Sequence, residues 1–256
     1  MNLLKLNKNT KLFLIIGAQK AGTSSFYKYL IQHPQVIGTE KKECHFFDDN
    51  YIKGIPFYKT FFPDIQNNIV IGEATPNYLF HPQVAKRIRN HFPSAKLIIL
   101  LRNPIDRAIS HYYHNRKYPA REPLSMSHAF KFERLRIKVD YQRMCMDESF
   151  NSQKVKYFSY LKRGEYYIQL KRYFDLFPYE NIAIYQSEKF FDDPIKILQM
   201  AFQFLEIDTY VPKDLKPKNI CRFKKEVPSD VFEMLKHYFK PYNEKLYNFL
   251  SNSYDW

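Results

Sequence analysis

Directly after the first apolar run of the chain stands Gly-Ala-Gln-Lys-Ala-Gly-Thr-Ser-Ser, residues 17–25. The whole chain holds only six glycines, so finding Gly17 and Gly22 together here is informative. A turn from strand into helix offers backbone N–H groups and the positive end of the helix to an anion. Thr23, Ser24 and Ser25 add hydroxyl donors, and Lys20 adds a charge inside the loop. Lys20, Ala21, Gly22, Thr23, Ser24 and Ser25 therefore read as a phosphate cradle. A nucleoside triphosphatase carries Lys directly after the second glycine, followed by a Ser or Thr that holds magnesium. Thr23 occupies that lysine position, which makes ATP or GTP hydrolysis the weaker reading. The plain alternative is a turn that uses glycine only for its backbone freedom.

Such a loop needs a sheet behind it. Short apolar or β-branched runs at 11–16, 68–71, 96–101 and 181–185 have the composition of strands covered on both faces. Helical patterns at 23–32, 82–91, 104–116 and 165–177 alternate with them. This order predicts an α/β fold, a P-loop-like central parallel sheet flanked by helices, with right-handed crossovers. The expected organisation is one domain over 1–256. A basic, mostly helical insertion at about 117–162, with helices near 125–138 and 152–161, is expected to cover the site and to attract anionic substrates. The segment 229–250 has helical periodicity, and Pro241 is expected to break it into two pieces.

The loop at 15–25 resembles the 5′-phosphosulfate loop of sulfotransferases that use 3′-phosphoadenosine 5′-phosphosulfate (PAPS). Leu-Leu-Arg-Asn-Pro-Ile-Asp-Arg-Ala-Ile-Ser-His at 100–111 is similar to the same family's 3′-phosphate site. There Arg102 supplies a forked donor, and Ser110 supplies a hydroxyl about two helical turns along. Glu43-Cys44-His45-Phe46-Phe47-Asp48 is similar to the Glu-x-His-Phe-Phe-Asp segment of the heparan sulfate sulfotransferases and their bacterial relatives. Further similarity runs through 72–78, 121–130, 163–174 and 241–256, so the resemblance covers nearly the whole chain.

The resemblance implies the sulfotransferase fold and transfer of a sulfuryl group from PAPS to a hydroxyl of an acceptor, expected to be a carbohydrate or glycan-like metabolite, leaving adenosine 3′,5′-bisphosphate. Glu43 is then the general base and His45 its rival or orienting partner. Lys20 sits by the departing phosphate, the cradle holds the 5′-phosphate, and Arg102 and Ser110 hold the 3′-phosphate. Arg222, in the short basic stretch 216–225, is a further donor-binding candidate. The chain departs from the heparan-type pattern at three points, one being the later basic loop with its disulfide pair, which is shortened to about 216–225 with only Cys221. Ser24 stands where Arg follows the Gly-Thr pair, and Ala74 stands where the Glu-Lys-x-Pro segment carries its lysine.

The plainer readings of these residues are a solvated loop acid for Glu43 and a histidine satisfied by the backbone for His45. Lys41 and Lys42 read as solvated cations, Phe46 and Phe47 as packing residues, and Asp48 as a turn residue or an acceptor contact.

Lys and Arg exceed Asp and Glu by 14, which calls for an anionic partner without choosing one. A basic nucleic-acid module and a P-loop nucleotide kinase are the competing classes, but no nucleic-acid-binding module is recognisable. Cys44, Cys145 and Cys221 are odd in number and widely spaced, and the histidines lack ligand spacing beyond the pair His111 and His114. Neither a disulfide framework nor a metal is therefore expected. No apolar run reaches the ~18–20 residues of a membrane span. The opening residues read as a strand and not as a leader, so a cytoplasmic location is the expectation.

Overall fold

Every residue of Leu12–Gly17 (β1) is buried, so this strand has no polar face to show to water and belongs inside a covered sheet. The structure, a computed structural model, describes residues 11–63, 70–118, 120–216 and 227–256. After β1 come helix α1 (Thr23–Leu30), strand β2 (Val36–Gly38), helix α2 (Gly54–Lys59), strand β3 (Val70–Ala74), helix α3 (Val84–His91) and strand β4 (Lys96–Leu101). Helices α4 (Pro104–Arg116), α5 (Met126–Lys131), α6 (Glu133–Met146), α7 (Gln153–Phe158) and α8 (Tyr166–Phe174) follow. Strand β5 (Ile182–Gln186) and helices α9 (Ser187–Asp192), α10 (Pro194–Phe204) and α11 (Ser229–Leu250) complete the order.

The five strands form one sheet in the order β2-β3-β1-β4-β5, and every pairing is parallel. This is the α/β architecture that the alternating runs predict. The chain leaves β1 toward β2 on one side and leaves β4 toward β5 on the other. The carboxyl ends of β1 and β4 therefore flank a topological switch point, where open parallel sheets bind their ligands. The phosphate loop begins at one of these ends, and Arg102 directly follows the other strand in the chain.

The chain groups into two compact units, residues 1–101 with 173–219, and residues 102–172 with 220–256. The first unit holds the sheet. The second has its own core, in which Ala108 and Tyr112 of α4, Met126, Ala129 and Phe130 of α5, Tyr160 and Leu161, and Val231, Leu235 and Phe239 of α11 pack together. Two charged side chains lie buried there as well. Arg107 donates to the Tyr160 carbonyl, and Glu133 accepts from the backbone N–H groups of Leu161 at 2.5 Å and Lys162 at 2.9 Å.

Three expectations change on contact with the structure. Pro241 does not break the last helix, because α11 runs continuously over 22 residues with the proline inside. Val231, Leu235, Phe239 and Leu246 are buried along it on both sides of the proline. At about 1.5–3 kcal/mol for each buried side chain they outweigh the ~3 kcal/mol proline penalty. The helix expected at 125–138 is two helices, α5 and α6, which meet at Phe132, and α6 extends to Met146. Strand β2 and helices α2, α9 and α10 are additional elements.

Candidate active site

The cradle is built by backbone first. At the end of β1, Ala18 N–H donates to the Leu100 carbonyl of β4 at 2.7 Å, which ties the loop's base to the neighbouring strand. Lys20 and Gly22 then adopt left-handed backbone angles, with φ of 74° and 86°. Gly22 is the residue preceding α1, and a Cβ there would lie 2.7 Å from the Phe191 ring. Both the positive φ and the close ring require glycine.

No side chain caps α1, and no acid lies in its first turn. The first N–H groups of a helix have no intrahelical acceptor, so the Thr23 and Ser24 end is left to an anion from outside. That donor set fits a phosphate group. Thr23 is buried, Lys20 and Ser24 are half-buried, and Ser25 is fully buried with its hydroxyl against that of Tyr29.

The second cluster lies on the loop after β2. Glu43 and His45 both adopt left-handed φ, 64° and 49°. Of the five non-glycine residues with positive φ among the described residues, three are therefore Lys20, Glu43 and His45. Such angles cost about 1–3 kcal/mol each and persist only where surrounding structure dictates them.

Here the dictating structure is visible. Phe46 and Phe47 are fully buried among Tyr58, Tyr78 and Phe92. Their backbone N–H groups donate to the Tyr78 hydroxyl at 3.0 and 3.3 Å, and that hydroxyl donates to Glu73 Oε1 at 2.8 Å. Thr75 Oγ1 donates to the other Glu73 oxygen at 2.7 Å. Burial pushes the Glu73 carboxyl above its ordinary range, against the pull of the Thr75 and Tyr78 hydrogen bonds. Arg87 pins the far side by donating to the Phe47 and Asp48 carbonyls.

On this platform three side chains form a chain of contacts. Asp48 Oδ2 lies 2.8 Å from His45 Nδ1 and accepts from Asn77 Nδ2 at 2.7 Å, while Asp48 Oδ1 accepts from Asp49 N–H at 2.8 Å. With Nδ1–H committed to Asp48, His45 Nε2 lies 3.5 Å from Glu43 Oε2 and donates to that carboxylate when the imidazole carries both protons. Lys42 Nζ reaches Glu43 Oε1 at 2.6 Å.

Burial alone would favour the neutral form of Glu43. The hydrogen bond from His45 and the charge of Lys42 overcome it and hold the carboxyl at about 2. Asp48 behaves in the same way: burial pushes it up, while His45, Asn77 and the Asp49 N–H bring it below the usual carboxylate range. Both groups are thus carboxylates at neutral pH. His45, Asp48 and Asp49 also bring potential ligand atoms within 4.8 Å of one another, and the His45 to Asp48 hydrogen bond accounts for that closeness.

The structure brings Glu43 and His45 together as the sequence suggests. It places Asp48 in a turn, as one of its two readings has it, and adds that this buried carboxylate anchors the imidazole. It also adds Lys42, which is an ion-pair partner and not a solvated cation. The signal for Asp48 lay in its spacing from His45, whereas Glu73, Tyr78 and Asn77 approach from elsewhere in the chain.

In the second unit, Arg102 stands just before α4, whose start is fixed by Asn103 accepting from Ile105 N–H at 2.9 Å with Pro104 behind it. The Arg102 carbonyl accepts from the Tyr166 hydroxyl at 2.8 Å. Ser110 is buried two turns along α4, and Arg107 between them is fully buried. Arg222 falls outside the described residues.

The sequence matches the family model described as a sulfotransferase domain over residues 10–250. The membrane-associated sulfotransferase kil1 of Dictyostelium discoideum is 28% identical over 95% of this chain, which spans 66% of that protein's length. The mouse heparan sulfate glucosamine 3-O-sulfotransferase 5 is also 28% identical over 95% of this chain, which spans 73% of its length. Among solved structures, a sulfotransferase from Alicyclobacillus acidocaldarius is 30% identical and superimposes with a TM-score of 0.78 over 96% of this chain and 97% of its own.

Proposed function

We propose that this chain, which belongs to the sulfotransferase domain family and is an O-sulfotransferase by that membership, takes its sulfuryl group from PAPS and delivers it to a carbohydrate hydroxyl. The donor follows from the fit of the uncapped α1 terminus to a phosphate and from the family. The choice of a saccharide rests on relatives named for heparan sulfate.

In this reading the first N–H groups of α1, with Thr23 and Ser24, hold the 5′-phosphate, and Arg102 and Ser110 hold the 3′-phosphate. PAPS supplies the activated sulfuryl group. The acceptor oxygen forms a bond to sulfur as the bond from sulfur to the bridging phosphate oxygen breaks, and adenosine 3′,5′-bisphosphate leaves with that electron pair. Lys20 offsets the charge that collects on the departing phosphate.

Glu43 takes the acceptor's proton, since an alcohol is too weak an acid to lose it unaided. His45, locked through Nδ1 by Asp48, orients the carboxylate from the side of Oε2. Lys42 must yield Oε1 as the proton arrives, because a carboxylate held at about 2 is a weak base.

The observation that carries this reading is the ionised Glu43 beside an imidazole fixed by a buried carboxylate. Two measurements on Glu43→Gln test it: titration calorimetry with adenosine 3′,5′-bisphosphate, and transfer of radiolabelled sulfate from PAPS to a panel of saccharides. Bisphosphate affinity is expected to stay within about twofold while turnover falls ~10²- to 10⁴-fold. Retained turnover would sink the base assignment. Failure of the wild-type chain to bind the bisphosphate, beside tight magnesium-dependent binding of ATP, would sink the donor assignment.

A further inference from the structure

Helix α6 has a buried face and an exposed apolar one. One turns inward, where Glu133, Ile137 and Met144 are buried. The other faces water: Leu135 is 77% exposed, Val139 73% and Met146 80%, with Phe132 at the helix start 38% exposed. At 3.6 residues per turn these four side chains fall within an arc of about 60°, roughly opposite the buried face.

Cations border that stripe. Lys131, Arg134 and Lys138 are exposed along one flank, and Arg143, which pairs with Asp147 at 3.5 Å, along the other. No carboxylate is exposed between residues 131 and 146, because Glu133 is buried and Asp140 accepts a hydrogen bond from the Ser152 hydroxyl. A solvated helix face has no physical reason to hold four large apolar groups in line, and an electrostatic funnel has no use for them.

We infer that the outer face of α6 is a docking surface for an anionic phospholipid leaflet, with α6 lying in the interface plane. Apolar groups in a row with long basic side chains beside them are the pattern of helices that rest at the headgroup boundary. The apolar residues enter the acyl edge while Lys and Arg reach outward to phosphates. The charge of the chain, +14, favours the same partner.

A second copy of the chain is a poorer occupant. A twofold contact centred on this stripe sets Lys131, Arg134 and Lys138 against their own counterparts, and like charges across an interface oppose association. The inference stands independently of the proposed acceptor and mechanism.

Co-sedimentation of the full chain with vesicles of phosphatidylcholine alone, and of phosphatidylcholine with phosphatidylglycerol, tests it. Partitioning onto the anionic vesicles is expected to be about 100-fold stronger. Leu135→Ser/Val139→Ser keeps every charge and is expected to lose about tenfold or more in binding to the same vesicles. Lys131→Gln/Arg134→Gln/Lys138→Gln is expected to cut the preference for anionic lipid about tenfold or more. Unchanged thermal unfolding shows that these exposed positions leave the fold intact, and Met146→Ser gives a second apolar variant should the double one unfold.

The inference is overturned if the Leu135 and Val139 variant binds like the wild type, since net charge alone then explains adhesion. It is equally overturned if the chain ignores vesicles, or if sedimentation velocity shows a dimer that the same variant dissolves without any vesicle binding.

Discussion

The Tyr78 hydroxyl donates to buried Glu73 at 2.8 Å and accepts from the backbone N–H groups of Phe46 and Phe47. One oxygen therefore ties a carboxylate of β3 to the loop that carries Glu43 and His45. Its donor and both lone pairs are used, so nothing else in the loop can take its place. Tyr78→Phe leaves two buried N–H groups without this acceptor, at about 1–3 kcal/mol each, and removes one of the hydrogen bonds to Glu73. The variant is expected to lose about 2–6 kcal/mol in denaturant unfolding. It is also expected to turn over more slowly while binding adenosine 3′,5′-bisphosphate as the wild type does. Equal losses in turnover and bisphosphate affinity would show a general loosening and not a displaced loop.

How far the sequence foretold this arrangement depends on the range of the forces involved. The bounds of β4 and α4 are read correctly because an apolar run ends at Leu101 and Asn103-Pro104 starts a helix with a side-chain cap, both local signals. Gly22 is legible for the same reason, since glycine before a Thr-Ser-Ser helix start is a backbone requirement written into one short segment. Strand β2 has three residues and offers no periodicity to detect. Pro241 misleads because the local proline penalty is visible in sequence, whereas the burial of Val231, Leu235, Phe239 and Leu246 that offsets it comes from packing. At the site, Glu43 and His45 stand out by type and spacing. The Tyr78 to Glu73 link and the Asn77 contact to Asp48 arise only when the segment after β3 comes under the loop. Arg222 lies outside the described residues.

Lys42 sets the acidity of Glu43 only in part. Burial favours the neutral acid, and the His45 hydrogen bond and the Lys42 charge together bring the carboxyl from the ordinary 4.5 to about 2. Lys42→Met removes one of these restraints, so the Glu43 midpoint rises and the carboxylate becomes a stronger base that protonates at a higher pH. Carbon-detected magnetic resonance of labelled glutamate carboxyls, with the signal assigned by its loss in Glu43→Gln, reads this directly. The acidic limb of kcat/KM is expected to move upward in the same variant. An unmoved midpoint would show that the 2.6 Å contact does not persist in solution.

Glu133 of the second unit makes stability depend on pH. Burial raises its carboxyl from 4.5 to about 7, against the N–H groups of Leu161 and Lys162 and the charge of Arg107. The folded chain therefore holds this proton more tightly than the unfolded chain. The resulting stabilisation is fully present below about pH 4.5, is lost as pH rises toward 7, and changes no further above that. Glu133→Gln cannot ionise and is expected to lack this component. The difference in unfolding free energy between wild type and variant should therefore change by up to about 3 kcal/mol between these limits. Parallel stability curves from pH 4.5 to 7 would place the proton elsewhere.

Gly22 joins fold and donor binding at one backbone position. Its φ of 86° and the Phe191 ring 2.7 Å from a built Cβ make any side chain doubly unwelcome. Gly22→Ala must either turn its φ negative, which swings the Thr23 and Ser24 N–H groups away from their common direction, or keep it and displace Phe191. The first route leaves stability nearly unchanged and removes the phosphate cradle. The second costs about 1–2 kcal/mol for the left-handed alanine and spares the cradle. Calorimetry with adenosine 3′,5′-bisphosphate beside thermal unfolding separates the two. Because Phe191 is 47% exposed, the expected result is a destabilised chain that still binds the bisphosphate within about threefold. An affinity loss of more than about tenfold with an unchanged melting temperature would show that the backbone, and not the ring, gives way.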